Sequence, residues 1–310
     1  MIEQSGCSVI VCCYNSSERL LATLFHISLQ ILSQDQKLEV LLVDNASTDL
    51  TAEVAKQVWN DLKSPFPLRI VTESQPGLSN ARRAGVLHAK FDTIIFCDDD
   101  NWLSPDYVSL AIEIMSSCPN VGVAGGRHLP AFEGDLPAPA WFYTYGDGYA
   151  VGVQALHTGD ISGRGYVWGA GMVLRAPLLR QMYMKGVEPL LSGRFGAKML
   201  SGDDSEICKW YLIAGYQLWF DDRLSLSHFI PSNRLSKEYV AMLHEGFGCA
   251  GVVLGAYNAL LYRRRAIHEC KFRLLTLFRS HIAFRKLAGK LRHSLLAIEK
   301  LAVASRMLVN

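Results

Sequence analysis

From residue 7 to about residue 125, short apolar runs alternate with stretches in which apolar residues recur at helical spacing. CSVIVCC (Cys7–Cys13), EVLLV (Glu39–Val43), Leu68–Val71, TIIFC (Thr93–Cys97) and Val121–Ala124 have the length and near-continuous hydrophobicity of strands buried on both faces. Between the first two, Leu20, Leu21, Leu24, Phe25, Leu29 and Leu32 share one helical face, with Ser16 and Ser17 as candidate caps. Asn45 to Asn60 repeats the pattern with Val54 and Val58 on its apolar side, and Ser104-Pro105 predicts a helix start with proline in the first turn. This alternation predicts an α/β fold, a doubly wound and mainly parallel sheet. Residues 126–200 lose the alternation and gain Gly, Pro and aromatic residues, as a segment that shapes a pocket does. Helical patterning returns at Asp204–Ala214, a strand-like run follows at Tyr216–Phe220, and the chain reads as helix from about Ser236 to its end. The predicted organisation is one domain over 1–235, with halves 1–125 and 126–235, followed by a helical extension over 236–310.

Composition sharpens this picture in three places. Half of the 310 residues are hydrophobic and 19% are charged, which excludes a disordered chain. The net charge of +2 conceals an asymmetry: residues 261–310 hold 12 Lys+Arg against 2 Asp+Glu, a balance of +10, and residues 1–260 hold 19 against 27, a balance of −8. An acidic main body disfavours nucleic acid as a partner. No C-x-x-C pair occurs among the 8 cysteines, which argues against a zinc site or a disulfide framework. The opening MIEQSGCSVIV has no basic stretch before its apolar run, so the expectation is a cytoplasmic chain.

Four polar clusters fall just past strand ends or at helix starts, where an open parallel sheet binds its ligand. Tyr14-Asn15 follows the first strand and Asp44-Asn45 the second; a carboxylate there can accept the N3–H of uracil or a ribose hydroxyl, while Asn45, Ser47 or Asp49 can equally cap the next helix. Gly77-Leu78-Ser79-Asn80-Ala81-Arg82-Arg83 opens a helix with a glycine turn and a guanidinium, a combination suited to pyrophosphate. Asp98-Asp99-Asp100-Asn101 closes a buried strand, and three adjacent carboxylates repel one another unless a cation or a set of donors compensates them. In an extended segment Asp98 and Asp100 point to one side and Asp99 to the other. Ser201-Gly202-Asp203-Asp204-Ser205-Glu206 places carboxylates in the first turn of a helix, where the dipole keeps them ionised within reach of a hydroxyl.

The order CYN, LLVDNAS, G-x-x-x-A-R-x-x-G, DDDN, WGAGM, GDDSE resembles the family 2 glycosyltransferases, inverting enzymes with the GT-A fold, and the resemblance covers about residues 7–235. It implies a nucleotide-sugar donor bound by the first half and an acceptor, a glycan or lipid-linked saccharide, met by the second. Tyr14, Asn15, Asp44, Arg82, Asp98, Asp99, Trp168 and Gly169 are the implied donor-binding set. In it Asp44 reads the base, Arg82 lies beside the diphosphate and Asp98 lies near the ribose. Asp100 is the implied ligand of a divalent cation, Mn²⁺ or Mg²⁺, and His228 a further candidate ligand against an ordinary structural role. Asp203-Asp204 matches a Glu-Asp pair whose second member is commonly the general base, so both are candidate catalytic residues with Asp204 favoured. The expected reaction is a direct displacement that releases nucleoside diphosphate, most simply from a UDP-sugar. A sugar nucleotidyltransferase is disfavoured because the first loop, CYNSSERL, lacks that group's Gly-rich Arg/Lys signature. A phosphohydrolase using Asp98 as nucleophile lacks the usual neighbours, and a silent nucleotide-sugar-binding protein is disfavoured because every carboxylate is retained.

Gly246–Tyr262 is a stretch of 17 uncharged residues between Glu245 and Arg263-Arg264-Arg265. It is short and glycine-rich for a span, and the positive-inside rule would carry the preceding domain away from cytosolic donor, which favours a buried or membrane-surface helix. Beyond it, Leu277, Phe284, Leu291 and Ile298 repeat at seven among basic residues. This amphipathic pattern predicts peripheral contact at the inner face of the cell membrane, a homodimer contact, or a cover for the main domain.

Overall fold

A computed structural model of the chain describes residues 5–135, 137–193 and 201–268. The elements in order are β1 (Gly6–Cys13), α1 (Leu20–Ser28), β2 (Lys37–Asn45), α2 (Thr51–Asp61), β3 (Leu68–Glu73), α3 (Leu78–His88), β4 (Thr93–Asp98), β5 (Asn101–Leu103), α4 (Tyr107–Ser117), β6 (Val121–Phe132), β7 (Gly159–Asp160), β8 (Val173–Arg175), α5 (Ala176–Met184), α6 (Asp203–Ala214), β9 (Gln217–Ile230) and α7 (Lys237–His268). One sheet runs β3-β2-β1-β4-β8-β6-β9-β5, with β7 paired to β9. The first four strands in that order are mutually parallel, as are β6 and β9, whereas β8, β5 and β7 run antiparallel to their neighbours. The result is a mainly parallel, mixed α/β sheet of the GT-A type.

Alternate residues of each central strand feed two cores. Ile10, Leu41, Val43, Ile94 and Phe96 face one side with α3, α5 and α6, while Val9, Val11, Val40, Leu42, Ile95 and Cys97 face the other with α1, α2 and α4. Burial on both faces is why these strands read as continuous apolar runs. The polar ends beyond them carry the site. Parallel register sets Cys13 beside Asp44 and Cys12 beside Asp98, so the carboxyl ends of β1, β2 and β4 lie in one row. Antiparallel β8 pairs Val173 with Ile95, so the segment entering β8, Trp168–Met172, arrives at that same edge.

Several sequence expectations shift at element boundaries. The Ser16 and Ser17 side chains do not cap α1, which begins at Leu20 without a side-chain cap. Ser16 instead donates its hydroxyl to Asp99 and takes the Tyr14 backbone N–H, a long-range use that outweighs local capping. α2 starts at Thr51 rather than Asn45 and buries Thr51, Ala55 and Trp59, with Val58 only partly covered. α4 begins at Tyr107, after Ser104-Pro105. β6 and β9 run well past Ala124 and Phe220, because the two pair along most of their length and supply each other's backbone partners. Asp98 ends β4, and Asp99 and Asp100 form a turn into β5, so the acidic run is not extended.

α7 packs against the rest of the protein at both ends of its first seven turns. Tyr257 is fully buried in the α6-side core, while Val240 and Leu243 join a small cluster with Phe142, Tyr149, Val151 and Ile230. By length and composition the stretch Lys237–Tyr262 could cross a membrane, with a mean hydropathy of 1.3 in its most apolar window and 28% of that window buried. The seven-residue repeat at Leu277–Ile298 lies outside the described residues, as does most of the +10 segment.

Candidate active site

The row of strand ends, the amino end of α6 and the first turns of α7 enclose a cleft of about 550 Å³. Tyr14, Arg82, Asp98, Asp99, Asp100, Trp168, Gly169, Asp203, Asp204 and His228 all line it. Of the sequence-derived set, Asn15 and Asp44 are not among the lining residues. Asn15 sits at the loop above: its side-chain oxygen accepts from the Thr48 N–H at 2.8 Å, and its own N–H donates to Ser47 Oγ at 3.1 Å. Asp44 is half-buried at the end of β2, 3.4 Å from the Ser47 N–H. Asn45, treated at the sequence level only as a cap, does line the cleft; its amide accepts from the Gly77 N–H at 2.8 Å and donates to the Gln75 carbonyl at 2.7 Å. Those bonds fix the turn that opens α3, where Gly77 at φ 126° adopts a conformation closed to most side chains.

Arg82 organises the interior of the cleft. It is 3% exposed, lies over the Phe96 ring at 4.9 Å, donates to Asp203 at 2.5 Å and stands 3.9 Å from Asp98. Burial works against its charge, but the two carboxylates more than compensate and hold the guanidinium protonated. Asp203 is therefore committed to Arg82. Asp204, its neighbour, accepts the Ser205 N–H at 2.6 Å and the Gly169 N–H at 2.9 Å. Burial first, and the Asp203 charge second, push its pKa up to about 6, the range of a working general base. Glycine at 169 leaves room for this packing: a Cβ there would lie 2.6 Å from Arg82 Nη2 and 3.3 Å from the Asp204 Cβ, and the buried guanidinium would have to shift.

The acidic turn divides its side chains among three elements. Asp99 accepts from Ser16 and from Arg19, the latter at 2.6 Å, and its main-chain carbonyl takes the Thr23 hydroxyl. Burial and the neighbouring Asp100 raise its pKa, partly offset by Arg19. Asp100 takes the Asn101 amide at 3.0 Å and Arg234 at 3.0 Å, and its Oδ1 is 3.4 Å from His228 Nε2. Pairing of β5 with β9 sets Asn101 opposite His228, which is how a histidine 128 positions further on reaches the turn.

Among the described residues no three His, Cys, Asp or Glu side chains converge as a metal cage. Asp100 and His228 nevertheless fit a cation shared with a substrate. Two adjacent donors, each about 2.1 Å from an octahedral ion, stand about 3 Å apart, close to the separation seen, and Mg²⁺-type ions usually take one or two protein ligands plus substrate phosphates. An oxygen and an imidazole nitrogen also suit Mn²⁺.

Other lining residues carried no sequence signal. Arg19 and Arg234 look like ordinary surface arginines in the sequence, and Asp147 lies in the irregular segment. Asp147 accepts from Trp168 Nε1 at 3.0 Å and from the Tyr166 hydroxyl at 2.8 Å, pinning the aromatic wall. Tyr239, Leu243 and Phe247, spaced four apart on α7, form another wall, with Tyr149 stacked on Tyr239 at 5.6 Å. Glu206, read in the sequence only as part of GDDSE, points away from the cleft. Fully buried, it accepts the Leu190 and Leu191 N–H groups and the Tyr257 hydroxyl at 2.7 Å, tying α6 to α7. Desolvation raises its pKa to about 7 despite these donors.

Known proteins similar to this chain are glycosyltransferases. The chain is 31% identical over 119 residues to the uncharacterized glycosyltransferase YfnE of Bacillus subtilis (strain 168), a match covering 38% of this chain and 29% of that protein. It is 25% identical over 125 residues to the poly-beta-1,6-N-acetyl-D-glucosamine synthase of Staphylococcus aureus (strain COL), covering 40% and 29%. Each match thus spans less than a third of the curated relative. The crystal structure of S. aureus TarS 1–349 superposes with a TM-score of 0.53 at 15% identity over 96% of this chain and 82% of that one, and the same fragment has been solved in complex with UDP-GlcNAc. At that identity the likeness speaks for the fold. The family model described as glycosyl transferase family 2 matches residues 8–165, half of the chain, and with the strand-end carboxylates in place the chain belongs to glycosyl transferase family 2.

Proposed function

We propose that the chain is an inverting glycosyltransferase that moves a sugar from a nucleotide-sugar donor, a UDP-sugar, to a hydroxyl of a glycan or lipid-linked saccharide. The observation that carries this reading is the division of labour between Asp203 and Asp204: one carboxylate is locked on Arg82, and the other is presented to the cleft with a pKa raised to about 6.

In this reading Asp204 takes the proton of the acceptor hydroxyl as that oxygen attacks the anomeric carbon. The bond to the diphosphate oxygen breaks as the new glycosidic bond forms, and the electron pair leaves with the diphosphate. Arg82, buried beside Asp98, faces the departing charge. Asp100 and His228 would hold a divalent cation, which supplies neutralisation of the leaving diphosphate when bound. The Gly169 N–H fixes the Asp204 carboxylate, and Asp203 keeps Arg82 in place. Tyr14 and Asp98 line the proposed nucleoside side of the cleft, and Asp44 and the loop fixed by Asn15 belong to the same row of strand ends beside it. Trp168 lies where donor sugar and acceptor would meet, and the Tyr149, Tyr239, Leu243 and Phe247 wall is the acceptor side.

An apolar α7 wall suits an acceptor that carries hydrocarbon, and the uncharged stretch Gly246–Tyr262 followed by a basic segment suits work at the cytoplasmic face of a membrane. Calorimetry with UDP, GDP and dTDP in the presence of Mn²⁺ tests the donor class. UDP is expected to bind at least about tenfold more tightly than GDP; equal binding of all three would contradict the assignment of a UDP-sugar.

A further inference from the structure

Each carboxylate of the Asp98–Asp100 turn faces a guanidinium from a different part of the chain. Arg82 of α3 faces Asp98, Arg19 before α1 faces Asp99, and Arg234 after β9 faces Asp100. The three are not equivalent. Arg82 is 3% exposed and is also held by Asp203. Arg19 binds Asp99 through the oxygen that also takes the Ser16 hydroxyl, and it feels the Asp100 charge without a hydrogen bond to it among those of the described residues.

Arg234 is bound to the one carboxylate that has His228 beside its other oxygen. Its main chain is anchored: the residue closes a short 3-10 turn, Ser232–Arg234, and its carbonyl accepts the Tyr149 hydroxyl at 2.7 Å. Its side chain is 20% exposed at the cleft wall and grips Asp100 through Nη1 at 3.0 Å. An arginine so placed can redirect its head without moving its backbone.

The charges in the cleft make redirection favourable. Asp100 is 7% exposed beside another carboxylate, so an empty cleft needs a positive group there. A divalent cation arriving between Asp100 and His228 supplies that charge and repels the guanidinium, while the donor's diphosphate offers two new acceptors nearby.

We propose that Arg234 is a placeholder for the cation. It neutralises Asp100 in the empty cleft, then transfers to the diphosphate when cation and nucleotide enter, gripping the leaving group in the filled site. The inference rests on the nucleotide-sugar reading above and adds to it a residue and an exchange of partners. A placeholder has effects of opposite sign on its two ligands. Without Arg234 the cation no longer competes for Asp100 and binds more tightly, whereas the nucleotide loses a bidentate contact and binds more weakly.

The test is calorimetry on the full chain and on its Arg234→Gln and Arg234→Lys variants, with Mn²⁺ alone and with UDP at saturating Mn²⁺. For Arg234→Gln, Mn²⁺ alone is expected to bind roughly three- to tenfold more tightly, and UDP roughly ten- to a hundredfold more weakly. Arg234→Lys, which keeps the charge and loses the fork, should fall between on both axes and guards against a folding defect in the glutamine variant. Weakening of both ligands, or no change in either, would overturn the placeholder role while leaving the nucleotide reading intact. Failure of the unaltered chain to bind UDP with Mn²⁺ would overturn the nucleotide reading and this inference with it.

Discussion

Asp204→Asn is expected to lower sugar transfer by about 10²–10⁴-fold, the usual loss when a general base is removed, while UDP affinity stays within about twofold. The substitution keeps the size of the side chain and an acceptor for the Gly169 N–H, so the loss falls on proton removal. The pH profile supplies a second readout. Burial and Asp203 raise the Asp204 pKa to about 6, and a base works only when deprotonated, so transfer in the unaltered chain should rise as pH climbs through about 6 and level off above 7. That rise should vanish in the variant. Asp203→Asn behaves differently, because Asp203 is held by Arg82: it should weaken UDP binding and keep a pH rise, moved to lower pH because the Asp203 charge no longer raises the Asp204 pKa. If Asp203→Asn removed the pH rise and Asp204→Asn did not, the two roles would be reversed.

The second large effect is expected at the acidic turn. Asp100→Ala removes the carboxylate whose two oxygens face His228 and Arg234, and transfer should fall by about 10³-fold or more, as expected when several kcal/mol of leaving-group stabilisation are lost. Mn²⁺-dependent UDP binding should disappear with it. Asp99→Asn should be milder on transfer and act on stability, since Asp99 joins Ser16, Arg19 and Thr23 and thereby holds the entry to α1 against the turn. Circular dichroism and thermal denaturation separate the two cases: Asp100→Ala should remain folded. Retention of Mn²⁺-dependent UDP binding by Asp100→Ala would remove Asp100 from the cation site.

The strands were legible because β1, β2 and β4 are buried on both faces, so their sequences carry little but apolar residues, and their polar ends stand out as Tyr14-Asn15, Asp44-Asn45 and Asp98-Asp99-Asp100. Trp168-Gly169 and Asp203-Asp204 were legible through motif order, and the fold brings both to the cleft. What the chain's local pattern could not convey were partners chosen at long range. Ser16 looks like a helix cap, yet its hydroxyl is spent on a carboxylate 83 residues away. His228 reaches Asp100 through the β5–β9 register, and the sequence pattern marked only the start of one of these strands: β5 is three residues long and left no mark, and β9 continues ten residues beyond the Tyr216–Phe220 run, so His228 lies past it. Arg19 and Arg234 carry no local mark, since an arginine in a loop is ordinarily solvated. α7 was legible as a helix, but the face that Tyr239, Leu243 and Phe247 turn to the cleft is set by its packing on the Phe142–Tyr149 segment.

The central claim is a single displacement at the anomeric carbon, with one base and no protein nucleophile, carried out on a nucleotide sugar in this cleft. Proton NMR of the chain with an α-linked UDP-sugar and Mn²⁺, recorded before mutarotation, tests it most directly by showing which anomer of the free sugar appears as UDP accumulates. The account predicts the β-anomer first, with release dependent on Asp204; first appearance of the α-anomer, or no release from any UDP-sugar that binds, would contradict it.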